Sequence, residues 1–279
     1  MGVTVWVNGV VGDGEEAKVG ALDHGVTVGD GVFETLSVRD GVPFALTRHL
    51  RRLERSASVL ALHVPCREHL IGAVSQTLAA AGHLPRGRLR ITLTGGPGPL
   101  GSDRADVAPT LVVAAGDTLP WPHHIEAVSV PWPRNERSAV AGAKTTSYAE
   151  NVVALAEAHR RGAMEAILPN TRGELCEGTG SNVVLVLDGE LVTPALSSGC
   201  LAGITRELLL EWARDDGLPI READLAMAAL GLAEDVLLTS STRDVQHVDV
   251  VDGRPLAGSG PGAAASALFA GRAAERSDP

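Results

Sequence analysis

The chain reads as a two-domain protein: a small N-terminal α+β domain and a larger C-terminal domain mixing α+β and α/β character. Three observations predict this. Hairpin turns of the strongest short-range kind recur at Asn8-Gly9, Asp40-Gly41 and Asp188-Gly189, each between apolar runs. In the first hundred residues strands, then helices, then strands follow one another, the order of an α+β domain. A proline-rich stretch, "DTLPWPHHIEAVSVPWPRNE", then interrupts the patterning. The expected division is 1–116 for the small domain, 117–135 for the connection and 136–279 for the larger domain.

The elements follow in order. "VTVWVNGVV" is a hairpin turning at Asn8-Gly9, and "GVFETLSVRDGVPFAL" is a second one turning at Asp40-Gly41. A helix starts near Thr47, with Leu50, Leu53, Ala57 and Leu60 at helical spacing, and "EHLIGAVSQTLAAAG" is another that stops at Gly82. "GRLRITLTG" and "PTLVVAAG" are strands joined by the loop "GPGPLGSD". Within the connection a short strand is expected at Ile125–Val130. Beyond it the pattern predicts a helix over 147–161, a hairpin around Asn170–Gly173 and the hairpin "NVVLVLDGELVTP". A helix from Ile204, a helical "DLAMAALGLA", the strand "DVLLTSS" and a last helix complete the chain.

Bulk properties narrow the function. The chain has 279 residues, 44% of them hydrophobic, enough for a large core. A net charge of −10 argues against general affinity for nucleic acid or anionic membrane, so an anionic ligand needs a local, built site. The cysteines Cys66, Cys176 and Cys200 fit a reducing compartment and no disulfide framework, and none has zinc spacing; no metal is expected. No signal peptide or apolar span is read, so the expected location is the cytoplasm.

Of 24 basic side chains 22 are arginine, which leaves Lys18 and Lys144. Arginine cannot act as an amine nucleophile, whereas a desolvated lysine can. Lys144 follows the apolar run Ala139–Ala143, so it reads either as a loop-end surface lysine or as an amine that attacks a carbonyl. Glu177 ends a strand before Gly178-Thr179-Gly180-Ser181. It is either an exposed turn glutamate or a carboxylate for a protonated heterocycle nitrogen. Gly203-Ile204-Thr205 opens a helix whose N–H groups and dipole favour an anion, unless Thr205 is a plain cap residue. Ser240, Ser241 and Thr242 form a second hydroxyl cluster at a strand end. Four arginines lie in "TRHLRRLERSA", and periodicity does not choose Arg52 over Arg51 or Arg48. Together these are an amine for an aldehyde, a carboxylate for a pyridinium and a set of donors for a phosphate: the parts for pyridoxal 5′-phosphate.

With those residues named, the chain resembles the class IV aminotransferase family, the fold-type IV pyridoxal-phosphate enzymes. The resemblance runs from "VWVNG" to "STRDV" through "DHGVTVGDGVFETL", "RHLRRL", "GAKTTSYAENV", "ELCEGTGSNV", "LAGITRELL" and "LLTSSTRDV". It implies Lys144 as the Schiff-base lysine and Glu177 as partner of the ring nitrogen. It gives the phosphate to Arg52, Ile204, Thr205 and Thr242, adds Gly203 and Ser241 as cofactor-binding residues, and places Leu201 against the ring. It further implies a cofactor between two domains, a small-molecule amino substrate and a homodimer. Family members include D-amino-acid and branched-chain aminotransferases and 4-amino-4-deoxychorismate lyases, which release pyruvate and 4-aminobenzoate. Residues 91–103 lack the arginine and histidine that D-amino-acid aminotransferases carry in this loop, and Phe33 stands where those enzymes have a tyrosine. The "TGTA"-type loop of branched-chain enzymes is absent too. "GDGVFETL" and "KTTSYAENV" are more similar to the lyases. The sequence expectation is therefore the lyase of folate biosynthesis, with an aminotransferase as alternative. Phe33, His24, Arg104, Arg88 and Arg90 are the weakest candidates, for substrate contact.

Overall fold

A computed structural model describes residues 2–279. The chain divides into two compact units, one of residues 2–120, 143–147 and 277–279 and one of residues 121–142 and 148–276.

The first unit holds strands β1 (Val3–Val7) and β2 (Val10–Asp13), a short helix α1 (His24–Thr27), β3 (Gly31–Arg39) and β4 (Val42–Pro43). Helices α2 (Leu46–Val59) and α3 (Arg67–Ala81) and strands β5 (Arg86–Thr94) and β6 (Thr110–Asp117) follow. The strands form one antiparallel sheet in the order β2-β1-β6-β5-β3-β4. Its first two hairpins turn where expected, because Asn8 and Gly9 (φ 45° and 99°) and Asp40 and Gly41 (φ 48° and 79°) adopt the left-handed region that these short turns require. Period-2 alternation sends Val32, Leu36, Leu89, Ile91, Leu93 and Val113 to one face, where they pack with Leu50, Leu53 and Ala57 of α2 and Leu70 and Val74 of α3. The other face carries Phe33, Arg90, Thr92 and Val112, brought side by side by the β3–β5 and β5–β6 registers.

The second unit contains β7 (Glu126–Ser129), α4 (Ala149–Arg160), β8 (Glu165–Pro169), β9 (Leu175–Gly178), β10 (Asn182–Leu187) and β11 (Glu190–Pro194). Then come α5 (Ile204–Asp215), β12 (Ile220–Ala223), α6 (Ala229–Leu232), β13 (Asp235–Ser240), β14 (Asp244–His247), β15 (Val250–Val251), β16 (Arg254–Pro255) and α7 (Gly260–Glu275). Two five-stranded mixed sheets result, β12-β11-β10-β13-β14 and β16-β15-β7-β8-β9. Val183, Leu185, Val236 and Leu238 of one sheet share a core with Ala127, Ile167 and Leu175 of the other. The continuous apolar run "VVLVL" after Asn182 lies in a strand buried on both faces, as such runs are when neither face meets water. Among the described residues no helix is long and apolar enough to cross a membrane.

Three segments depart from the sequence expectation. Residues 121–135, expected as connection, belong to the second unit, with β7 in parallel register with β8 and β15. Residues 143–147, expected in the larger domain, belong to the first unit. Strand β4 is only two residues long and leaves the start of β3 with an open edge. Residues 144–146 fill that edge: Phe33 N–H donates to Lys144 O at 3.0 Å and Thr146 N–H to Gly31 O at 2.8 Å. Finally, of "DLAMAALGLA" only Ala229–Leu232 is helical. Upstream, Leu225 O accepts from Leu175 N at 2.7 Å and Met227 N–H donates to Gly173 O at 3.1 Å, so β-type pairing overrides helix propensity there.

Candidate active site

Lys144 lies in the first unit, half-buried, with its position set by its own backbone. Its carbonyl serves β3, and its N–H donates to Ser56 Oγ on α2 at 3.0 Å. Its Nζ lies 4.4 Å from the centroid of the Phe33 ring, within cation–π range. Phe33 is an aromatic where the sheet face meets this amine, and it is buried. Arg90, two β5 positions from Thr92, lays its guanidinium carbon 3.7 Å from the same ring centroid and donates through Nε to Thr92 Oγ1 at 3.2 Å.

Arg52 is buried on α2, one turn before Ser56, and so on the face that holds Lys144. Glu34, fully buried on β3, accepts from Arg52 Nε at 2.8 Å and from Arg52 Nη2 at 2.7 Å. His49 Nδ1 stands 2.6 Å from the second oxygen of Glu34. Burial alone pushes the Glu34 carboxyl upward, but the Arg52 charge and hydrogen bonds, with those of His49, hold it down at about 2. Burial pushes the His49 imidazole down, and the Arg52 and Lys144 charges add to this against the pull of Glu34.

The other expected substrate residues are engaged elsewhere. Arg104 grips Asp30 with both ends of its fork, at 2.6 and 2.5 Å, and donates to Ala61 O at 3.1 Å. Its hydrogen bonds hold the Asp30 carboxyl below the usual range. His24 is buried, with Nε2 3.1 Å from Pro99 O and Nδ1 3.6 Å from Asp30. The pair fastens the β5–β6 loop to the start of β3. Arg90 is the arginine that the sheet face places beside Lys144.

In the second unit Glu177 is the next-to-last residue of β9, with 8% exposure. Its Oε1 accepts from Arg134 Nε at 3.0 Å and its Oε2 from the Leu201 N–H at 2.9 Å. Arg134 Nη1 donates to Asn151 Oδ1 at 3.3 Å, and Asn151 Nδ2 to Thr179 O at 2.6 Å. Leu201 thus meets Glu177 through its backbone, and its carbonyl accepts from Asn182 Nδ2 at 2.8 Å. Cys176, the neighbour of Glu177, is fully buried on the opposite side of the strand, and burial raises its thiol far above the usual range. Gly203 is the N-cap of α5, and no side chain caps that helix end. A Cβ at Gly203 would lie 1.9 Å from Asn182 Oδ1, so only glycine allows this approach. Thr205, 3% exposed, has a hydroxyl without a hydrogen-bond partner among the described residues. Asn182 pairs with Thr239 across β10 and β13, which brings the end of β13 beside it; Ser241 and Thr242 follow, both half-buried.

Residues 31–251 match the model of the family described as amino-transferase class IV. A Methanocaldococcus jannaschii protein, provisionally named a branched-chain-amino-acid aminotransferase, is 34% identical over 258 residues, 90% of this chain and 88% of its own. The D-alanine aminotransferase of Listeria monocytogenes is 30% identical over 265 residues, 89% of this chain and 88% of its own. The crystal structure of a branched-chain aminotransferase from Thermoproteus uzoniensis with norvaline superposes with a TM-score of 0.90 at 30% identity, covering 97% of this chain and 94% of that one. The chain belongs to the class IV aminotransferases, whose cofactor is pyridoxal 5′-phosphate.

The residues present fit that cofactor. The uncapped start of α5 and the unpartnered Thr205 hydroxyl are donors of the kind an anionic phosphate takes. Glu177, held by one cation and one N–H, is an acceptor for a ring N–H. Glu34, His49, Ser56, Arg134, Asn151 and Asn182 escape sequence reasoning. The one signal for Glu34 is a carboxylate on the apolar side of an alternating strand, and Arg134 is hidden in what reads as a linker.

Proposed function

We propose that the protein moves the amino group of an aliphatic amino acid to a 2-oxo acid. Of the two readings the sequence allows, support falls on the aminotransferase, since relatives spanning about nine-tenths of the chain bear aminotransferase names. The observation that carries the substrate class is the Phe33 ring, which holds the Lys144 ammonium at 4.4 Å and the Arg90 guanidinium at 3.7 Å. An amine-handling group and a carboxylate-binding group thus stand within one amino acid's reach. Beside them a cavity of about 220 Å³, lined by Val19, Val26, Thr94, Val112 and Thr146 among others, suits a short aliphatic side chain.

The bound cofactor supplies an aldehyde for the amino group and a sink for the electrons left at the α-carbon. Lys144 Nζ would be the amine that holds the aldehyde and, as a free amine, the base that takes and carries the α-proton. Glu177 accepts a hydrogen bond from the protonated ring nitrogen, with Arg134 and the Leu201 N–H keeping the carboxylate oriented. Arg52, Ile204, Thr205, Ser241 and Thr242 would be the phosphate ligands, Gly203 would let the helix end approach, and Leu201 would lie against the ring. Arg90 anchors the substrate carboxylate. As in the family it resembles, the chain works as a homodimer.

The test is direct. Borohydride should fix the cofactor on Lys144, found as a modified peptide by mass spectrometry. L-leucine, L-valine and D-alanine are then supplied in turn, and conversion of the cofactor to its amine form is followed by absorbance, with 2-oxoglutarate as acceptor. Turnover of an aliphatic amino acid is the expected result. Release of pyruvate and 4-aminobenzoate from aminodeoxychorismate, with no amino transfer, would overturn the reading in favour of the lyase.

A further inference from the structure

Glu34, His49 and Arg52 form the most deeply buried ionisable cluster of the first unit, and only Arg52 has a role so far. Glu34 is 0% exposed, His49 0% and Arg52 4%. Burying such groups is expensive. An apolar set of equal volume is often at least as stable, so such a cluster is poor evidence of a merely stabilising role. The geometry indicates what the cluster orients. A guanidinium offers two edges for paired hydrogen bonds, and Glu34 occupies the Nε–Nη2 edge at 2.8 and 2.7 Å. That grip fixes the guanidinium plane, and with it the direction in which Nη1 points.

His49 precedes Arg52 by three residues on α2 and so shares its helix face. With its basicity suppressed by burial, the imidazole is neutral near pH 7 and donates through Nδ1 to Glu34 Oε2 at 2.6 Å. A neutral donor braces the carboxylate without setting a third positive charge beside Arg52 and Lys144. One turn further along α2, Ser56 accepts the Lys144 N–H. One helix face therefore orders both the proposed phosphate ligand and the backbone of the amine.

We infer that Glu34 is a positioning residue for phosphate recognition: braced by His49, it aims Arg52 at the phosphate ester of the cofactor. This rests on the reading of Arg52 as a phosphate ligand, and the test separates the two. Full-length apoprotein is titrated with pyridoxal 5′-phosphate and with pyridoxal, which lacks the phosphate, and the ratio of the two dissociation constants is measured. Inorganic phosphate serves as competitor. Arg52→Met should reduce the preference for the phosphorylated form by roughly a hundredfold, and Glu34→Gln by about tenfold or more, with pyridoxal binding changed less than about twofold. His49→Gln should lower the preference less, in the same direction. If Arg52→Met reduces the preference and Glu34→Gln does not, or weakens both ligands equally, the positioning role is wrong and the Arg52 reading stands. If Arg52→Met leaves the preference intact, both fall. Should Glu34→Gln fail to fold, the Glu34→Met/Arg52→Met pair replaces the buried ions by apolar groups. Relative to Arg52→Met alone it should lose no further preference, and an additional loss would show that Glu34 does not act through Arg52.

Discussion

Arg134 donates through Nε to Oε1 of Glu177 at 3.0 Å, so the carboxylate assigned to the cofactor ring is held by a cation from a segment that reads as a linker. The same guanidinium reaches Asn151 at 3.3 Å and lies 3.6 Å from Glu150. Glu177 is therefore built into a chain of contacts: Arg134 on one oxygen, the Leu201 N–H on the other, and Asn151 linking Arg134 to the Thr179 carbonyl. Removing the guanidinium leaves a mostly buried carboxylate short of one charge-assisted bond, worth roughly 1.5–3 kcal/mol. Arg134→Met should lower kcat by about 10- to 100-fold. Arg134→Lys should restore part of that, since an ammonium returns the charge but not the fork. Steady-state kinetics on the two variants check this, and a Met variant with wild-type kcat would count against the role given to Glu177.

Arg90 makes a second prediction. A charged anchor for a substrate carboxylate is worth ~2–5 kcal/mol of binding. Arg90→Ala should raise KM for the amino acid on the order of a hundredfold while changing kcat far less. The KM–kcat split is the readout: loss confined to kcat would mean that Arg90 supports the Phe33–Lys144 arrangement rather than the substrate. Arg104→Ala should instead act on stability, since both ends of that guanidinium are spent on Asp30.

Legibility in the sequence followed the range of the physics. Turns at Asn8-Gly9, Asp40-Gly41 and Asp188-Gly189 are local, set by the few residues that adopt positive φ, and could be read directly. Lys144 stood out because arginine had replaced lysine almost everywhere else. Glu34 and Arg134 did not, because their meaning lies in partners 18 and 43 residues away. Residues 143–147 group with the first unit for the same reason: the open edge of β3 that they fill depends on β4 being only two residues long. In "DLAMAALGLA" propensity pointed to a helix, and pairing with residues 173–175 decided otherwise.

Acid should unfold the first unit through Glu34. Its carboxyl is held at about 2 in the folded chain against an ordinary value of 4.5. A depressed carboxylate contributes its stability fully above the unfolded value and loses it as pH falls through the folded one. The loss thus spans pH 4.5 to about 2 and amounts to about 3 kcal/mol. His49, also depressed, acts with the same sign: its contribution is complete above 6.5 and declines as pH falls below it. Thermal unfolding should therefore show Tm falling with acidification. Glu34→Gln should flatten the slope between pH 4.5 and 2, and a variant with the wild-type slope would place the acid sensitivity elsewhere.

Gly203 offers a test by crowding. An added Cβ would lie 1.9 Å from Asn182 Oδ1, and Asn182 in turn holds the Leu201 carbonyl at 2.8 Å. Gly203→Ala must therefore displace Asn182 or shift the start of α5, at a cost of roughly 1–3 kcal/mol for overpacking. Any shift of that helix end moves the Ile204 and Thr205 donors and, through Leu201, the N–H on Glu177. The expected result is a lower Tm together with weaker binding of pyridoxal 5′-phosphate. Asn182→Ala removes the clashing oxygen, so in the double variant Tm should recover relative to Gly203→Ala alone, although the bond to Leu201 is lost. A double variant with the two losses simply added would mean that glycine is needed there for backbone freedom. Its φ of −70°, however, is one any residue adopts, so recovery is the outcome the geometry requires.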